Sequence, residues 1–146
     1  VEVCMLGAIE EAKRGLPECA IPIGSGRGHD GKIIGRGHNR RVQKDSAILH
    51  GEMDAIENAG RHPASVYRAA TVYTTLSPCA MCSGTILLYG IQKVIVGENS
   101  TFMGEEELLR SRGVEVTVLN DATCQELMRQ FIAAKPDLWN EDIGEP

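Results

Sequence analysis

The amino-acid sequence predicts an α/β domain in which helices cover both faces of a sheet that runs parallel at least in its later part. Two observations carry that expectation. From residue 70 onward, strand-like runs (70–76, 93–97 and 114–119) alternate with segments of helical spacing (105–112 and 124–134). The chain has 146 residues, 42% hydrophobic and 24% charged, which fits one globular domain, residues 1–146, with a core large enough to need no staples. No internal repeat, low-complexity segment or interdomain linker divides it.

In order along the chain, residues 3–16 set Val3, Leu6, Ala8, Ile9, Ala12 and Leu16 near helical spacing, with Glu10, Glu11, Lys13 and Arg14 elsewhere. An amphipathic helix is expected there, ended by Gly15 and Pro17. Ile21, Pro22 and Ile23 begin a short strand. Its continuation, residues 24–31, is dominated by glycine and charge and does not read as a buried strand. The repeated glycines also invite a phosphate-cradling loop, but neither G-x-x-x-x-G-K-[ST] nor a clean G-x-G-x-x-G opening a helix is present. A hairpin turn at Asp30-Gly31 leading into a strand at Lys32-Ile33-Ile34 is expected instead. Arg36-Gly37-His38-Asn39 leaves that strand; His38 is either a spare ligand or satisfied locally, and Asn39 suits a turn cap. Residues 50–60 read as a helix stopped by Gly60, and Ser77-Pro78 as the start of another, with proline in its first turn. The continuation, Ile86-Leu87-Leu88-Tyr89, is apolar nearly all round and calls for burial in the core or in a subunit interface. Pro136 ends the last long helix and leaves a tail with the sole tryptophan, Trp139, as a surface cap.

The chemistry concentrates in His50-Gly51-Glu52 and Pro78-Cys79-Ala80-Met81-Cys82. The combined H-x-E … P-C-x-x-C pattern is a known signature of zinc-dependent nucleobase deaminases. Zinc favours nitrogen and sulfur ligands in a tetrahedron, and a catalytic site keeps one position for water. His50, Cys79 and Cys82 offer three ligands, and Glu52 is close enough to shuttle protons without itself being a ligand. Residues two apart on a helix point about 200° apart, so His50 and Glu52 can converge only where the chain enters the helix, and Gly51 suits such an entry. Cys79 and Cys82 share one face of a first helical turn, where the helix dipole favours thiolate. A structural zinc site would need a fourth protein ligand, yet Cys4, Cys19 and Cys124 are isolated; a redox dithiol pair ranks last.

Net charge is −5 and basic residues are scattered apart from the stretch 36–44, which favours a small substrate over nucleic acid. Five cysteines at irregular spacing point to a reducing, cytoplasmic setting, with no signal-like start and no apolar run long enough for a membrane.

The sequence resembles the fungal-type, zinc-dependent cytosine deaminases of the cytidine deaminase superfamily. The resemblance rests on Gly35-Arg36-Gly37-His38-Asn39, His50-Gly51-Glu52, residues 73–79, Val96-Gly97-Glu98-Asn99, and Trp139 with residues 141–145. It departs from the family at residues 25–29, at Asn140 beside Trp139, and at Cys19-Ala20. It implies a three-layer α/β/α sandwich with a five-stranded mixed sheet, one zinc ion per chain and a homodimer. The implied activity is hydrolysis of free cytosine to uracil and ammonia. Guanine or isocytosine as the base, or a non-catalytic deaminase-like binding module, stand as alternatives. By the same resemblance, Asn39 and the backbone of Gly51 would hold the base carbonyl, and Asp142 would accept from its amine edge. Ile23, Phe102 and Trp139 would wall the ring, with Trp139 in a C-terminal lid.

Overall fold

A computed structural model describes residues 2–15, 24–29 and 32–146, with side chains at 4–15 and 32–146. The expected strand start at Ile21–Ile23 lies outside the described residues, as do Cys19 and the turn residues Asp30 and Gly31. Among the described residues the elements are α1 (Glu2–Arg14), β1 (Gly24–His29), β2 (Lys32–His38), α2 (Gly51–Ala59), α3 (Ala64–Arg68), β3 (Thr71–Leu76), α4 (Ala80–Leu88), β4 (Lys93–Glu98), α5 (Glu106–Ser111), β5 (Glu115–Val118), α6 (Ala122–Ala134) and α7 (Pro136–Asp142).

The strands form one sheet in the order β2-β1-β3-β4-β5. β1 runs antiparallel to both β2 and β3, whereas β3, β4 and β5 are parallel. Parallel neighbours need a crossover, and α4 and α5 supply the two crossovers. The pleat sorts the sheet into two faces. Val72, Val94 and Val96 pack with Tyr67 of α3, Ile86 of α4 and Leu109 of α5. Tyr73 and Ile95 face the other way, onto Met5, Ala8 and Ile9 of α1 and Cys124 of α6. Helices therefore cover both faces.

The stretch read as unsuited to a buried strand is corrected here: Gly24–His29 is β1, paired on both edges with β2 and β3. Backbone pairing on two sides satisfies its donors and acceptors without any demand on side chains. A register shift between Arg27 and Gly28 marks an irregularity in the β1–β2 ladder. β2 also runs on through Arg36 and Gly37 to His38, further than expected. Gly35 and Gly37 let α2 lie against the sheet: a Cβ on either would stand under 3 Å from α2 backbone atoms.

Two further expectations change. Pro78 precedes the helix, because Cys79 is the N-cap of α4. Of the two settings expected for the run 86–89, the core of one chain does not enclose Leu88, which is 75% exposed, or Tyr89, which is also exposed. The tail folds as a helix with Pro136 in its first turn, and Trp139 is buried with Leu76, Met128 and Phe131.

Candidate active site

The site forms at the carboxyl ends of β3 and β4, the usual place for ligands in a parallel sheet. His50 is the N-cap of α2 with extended backbone, φ −63° and ψ 164°, while Glu52 already lies in the helix. That break in geometry turns both side chains to one side. β3 ends at Leu76, and Ser77-Pro78 carries the chain to Cys79 and into α4, which places Cys82 one turn on.

Cys79 Sγ lies 3.4 Å and Cys82 Sγ 3.8 Å from His50 Nδ1. The three ligand atoms all lie within 4.8 Å of one another. The other ring nitrogen, Nε2, faces Asp142 Oδ1 at 3.2 Å, so the carboxylate leaves Nδ1 to the sulfurs. This is the outer-shell arrangement typical of metal-ligating imidazoles. Burial opposes charge on His50, but the hydrogen bonds with Asp142 and Cys79 and the nearby carboxylates overcome it and raise its pKa to about 10. Cys79 is lowered to about 4, chiefly by its hydrogen bond with Cys82 and then by His50, against the effect of burial. Cys82 moves the opposite way, pushed up by Cys79 and by burial. A soft N/S set of that geometry fits a single zinc ion.

Glu52 is buried, and burial raises its carboxyl to about 7 despite the opposing His50 charge. It opens onto a cleft lined by His50, Glu52, Cys79, Phe102, Trp139 and Asp142, with Leu76, Ser77 and Ile143 completing the wall. The Phe102 and Trp139 rings meet edge to face, centroids 5.9 Å apart. α7 brings Trp139 and Asp142 to this cleft together.

Asn39 is fully buried but is not part of the cleft wall: its Nδ2 donates to both Asp142 oxygens at 3.3 Å, and its Oδ1 accepts from Arg41 N at 3.0 Å. It acts as a turn cap and a prop for Asp142 at once. Gly51 is buried between His50 and Glu52 as the first residue of α2. Ile23 lies outside the described residues. His38 is satisfied locally, its Nδ1 3.1 Å from Glu11 of α1.

Arg41 was not singled out by the sequence reading. Its Nε donates to Asp142 Oδ1 at 2.8 Å across 101 positions of sequence, a pairing no local pattern could reveal. Burial favours the neutral Asp142 carboxyl, yet the bonds from His50, Arg41 and Asn39 outweigh it and hold the group below its ordinary value. Ser77 and Glu98 are likewise site-supporting residues: both fall in segments that carry the resemblance, but their partners across the loop 99–106 are set by the fold.

Comparison with known proteins is consistent with this geometry. Residues 1–98 match the family model described as the cytidine and deoxycytidylate deaminase zinc-binding region. The chain is 57% identical over 139 residues to a cytosine deaminase of Candida albicans, covering 94% of this chain and 93% of the relative. It is 44% identical over 107 residues to a tRNA-specific adenosine deaminase of Streptococcus pyogenes, covering 71% of this chain and 67% of that one. Among solved structures, one from work on A-to-I editing by tRNA:A34 deaminases superposes with TM-score 0.75 at 25% identity, covering 87% of this chain and 99% of the other. A guanine deaminase from Nitrosomonas europaea shares the fold, with TM-score 0.74 at 22% identity over 90% of this chain and 84% of its own.

Proposed function

Since this chain belongs to the family of zinc-binding cytidine and deoxycytidylate deaminases, we propose that it hydrolyses free cytosine to uracil and ammonia. The observation that carries the choice of a free base is the lining of the cleft, where Phe102, Trp139 and Asp142 share the wall with His50 and Glu52. Its wall is completed by α7, whose Trp139 and Asp142 close it over the His50–Glu52 side. The similarity to the Candida albicans cytosine deaminase covers 94% of this chain.

His50 Nδ1 and the sulfurs of Cys79 and Cys82 would hold the zinc ion. When bound, zinc supplies Lewis-acid activation of a water molecule near neutral pH. Glu52 takes a proton from that water and delivers it to the ring nitrogen beside the amine-bearing carbon. With the water oxygen bonded to that carbon, Glu52 would take the second proton from that oxygen and pass it to the amine, so that the carbonyl forms as the carbon–nitrogen bond breaks and ammonia departs. A buried carboxyl poised near 7 suits a group that must both accept and donate. Asp142, fixed by its three donors, would accept from the amine edge of the base, with the Gly51 backbone on the carbonyl side and Asn39 acting through Asp142. Phe102 and Trp139, in edge-to-face contact, would together wall one side of the ring. Trp139 and α7 form the lid whose opening releases product.

The exposed stripe Ala80, Gly84 and Leu88 on α4 supports a homodimer, since a Cβ on Gly84 would meet nothing within the chain. Among the described residues no helix is long and apolar enough to cross a membrane, and the protein is proposed to work in the cytoplasm on a small molecule without nucleic acid.

The test is ammonia release from cytosine, cytidine, guanine and adenine by zinc-loaded protein. Cytosine is expected to lead; a preference for guanine or adenine would replace the substrate, and no release from any base would leave a binding module. Glu52→Gln is expected to keep zinc and lose ~10²–10⁴ in turnover, whereas full activity would remove Glu52 from its role.

A further inference from the structure

The carboxylate of Glu98 points into a loop rather than into the cleft, and nothing in the reaction uses it. Glu98 is the last residue of β4 and is fully buried. Four donors converge on it, none of them cationic. Its Oε2 accepts from Ser100 N at 2.7 Å, Ser100 Oγ at 3.1 Å and Thr101 N at 3.1 Å, and its Oε1 accepts from the Thr101 hydroxyl. A buried carboxylate is expensive to retain unless fully hydrogen-bonded, and this one is satisfied by a single short turn. The next residue after that turn is Phe102, which forms the cleft wall against Trp139.

The far end of the same loop is held by the metal-site segment. Gly104 N donates to Ser77 Oγ at 2.9 Å, and the Ser77 hydroxyl donates to the buried Glu106 at 2.6 Å. Glu105 N donates to Pro78 O at 3.0 Å. A Cβ on Gly104 would fall 1.9 Å from Pro78 O, so the loop lies directly on the residue before Cys79. Phe102 sits between two clamps: one on β4, one on the segment that delivers the sulfurs.

We propose that Glu98 is a positioning residue, which sets Phe102 against Trp139 by gathering the Ser100–Thr101 turn and so fixes the width of the base pocket. The proposal rests on the deaminase reading for its kinetic readout but has one that does not. Trp139 is the chain's sole tryptophan, so its emission reports the Phe102 contact directly.

The experiment compares Glu98→Ala, Glu98→Gln and the loop variant Ser100→Ala/Thr101→Val, all zinc-loaded. Glu98→Ala is expected to raise KM for cytosine about tenfold with kcat within about twofold, and to increase quenching of Trp139 by acrylamide. Glu98→Gln is expected to restore both, because its amide oxygen can replace Oε2 while the Thr101 hydroxyl turns to accept from the amide nitrogen. Should Glu98→Ala fail to fold, the loop variant leaves β4 intact and is expected to shift KM and quenching in the same direction. Unchanged KM and quenching in a folded variant, an effect confined to kcat, or failure of Glu98→Gln to restore them would overturn the proposal. If the unaltered protein does not deaminate cytosine, the function reading fails while the quenching comparison still decides the role of Glu98.

Discussion

Gly37→Ala puts the packing beneath the site under a direct strain. A Cβ at Gly37 would lie 2.3 Å from Ala55 N, 2.6 Å from the Asp54 carbonyl carbon and 2.7 Å from Asp54 Oδ2. Ordinary contact begins at 3.4 Å, so α2 would have to retreat by about 1 Å. Two of these three atoms are backbone, and Asp54 is itself tied to His38 N and Arg40 Nε, each at 3.1 Å. No rotamer change can relieve the clash. Overpacking of this kind costs about 1–3 kcal/mol, and backbone contacts place Gly37→Ala at the upper end. For a chain of this size that is a fall in Tm of roughly 6–12 °C. The same retreat carries His50 and Glu52, which sit at the start of α2, out of register with Cys79 and Cys82. A displacement of about 1 Å in a catalytic group can cost ~10² in rate. Thermal unfolding by circular dichroism, zinc content and kcat/KM for cytosine measure the three effects. A variant with Tm within about 1 °C and kcat/KM within about twofold of the parent would refute the claim that α2 is set by its contact with Gly37.

Asp142→Asn should lower zinc affinity by ~10–100-fold, because an amide must turn its own N–H against one of the donors from Asn39, Arg41 and His50. Competition with a chromophoric chelator measures it, and unchanged affinity would remove Asp142 from the orientation of His50. Stripping the metal should abolish ammonia release, with recovery on adding zinc or cobalt but not magnesium, since thiolate and imidazole ligands disfavour the harder ion. Recovery with magnesium would contradict the N/S ligand set. Leu88→Lys, which places charge on the exposed face of α4, should shift a dimer toward monomer in sedimentation; a monomeric parent protein would dispose of the dimer proposal.

Short-range physics made much of this protein legible. The helical spacing of residues 3–16 became α1, and the alternation after residue 70 became the parallel β3-β4-β5 segment with its crossovers. The argument that His50 and Glu52 must straddle a helix entry needed only the 3.6-residue repeat, and the extended N-cap at His50 agrees with it. Where neighbours in space decide, the sequence was silent or misleading. Gly24–His29 has the composition of a loop, yet partners on both edges make it a strand. Leu88 and Tyr89 continue an apolar run that one chain leaves exposed.

Residue types and their spacing determined the two halves of the metal site, because a His-x-Glu at a helix start and a Cys-x-x-Cys around an N-cap are local geometries, while the fold brought the halves together across 29 residues. Tertiary structure alone decided how that chemistry is framed. Arg41 reaches Asp142 across 101 residues, and Glu98 and Ser77 grip the two ends of the loop bearing Phe102. Those partners come together only when the sheet is assembled, since chain closure over such distances is driven by the packed core and not by any preference of the segments themselves.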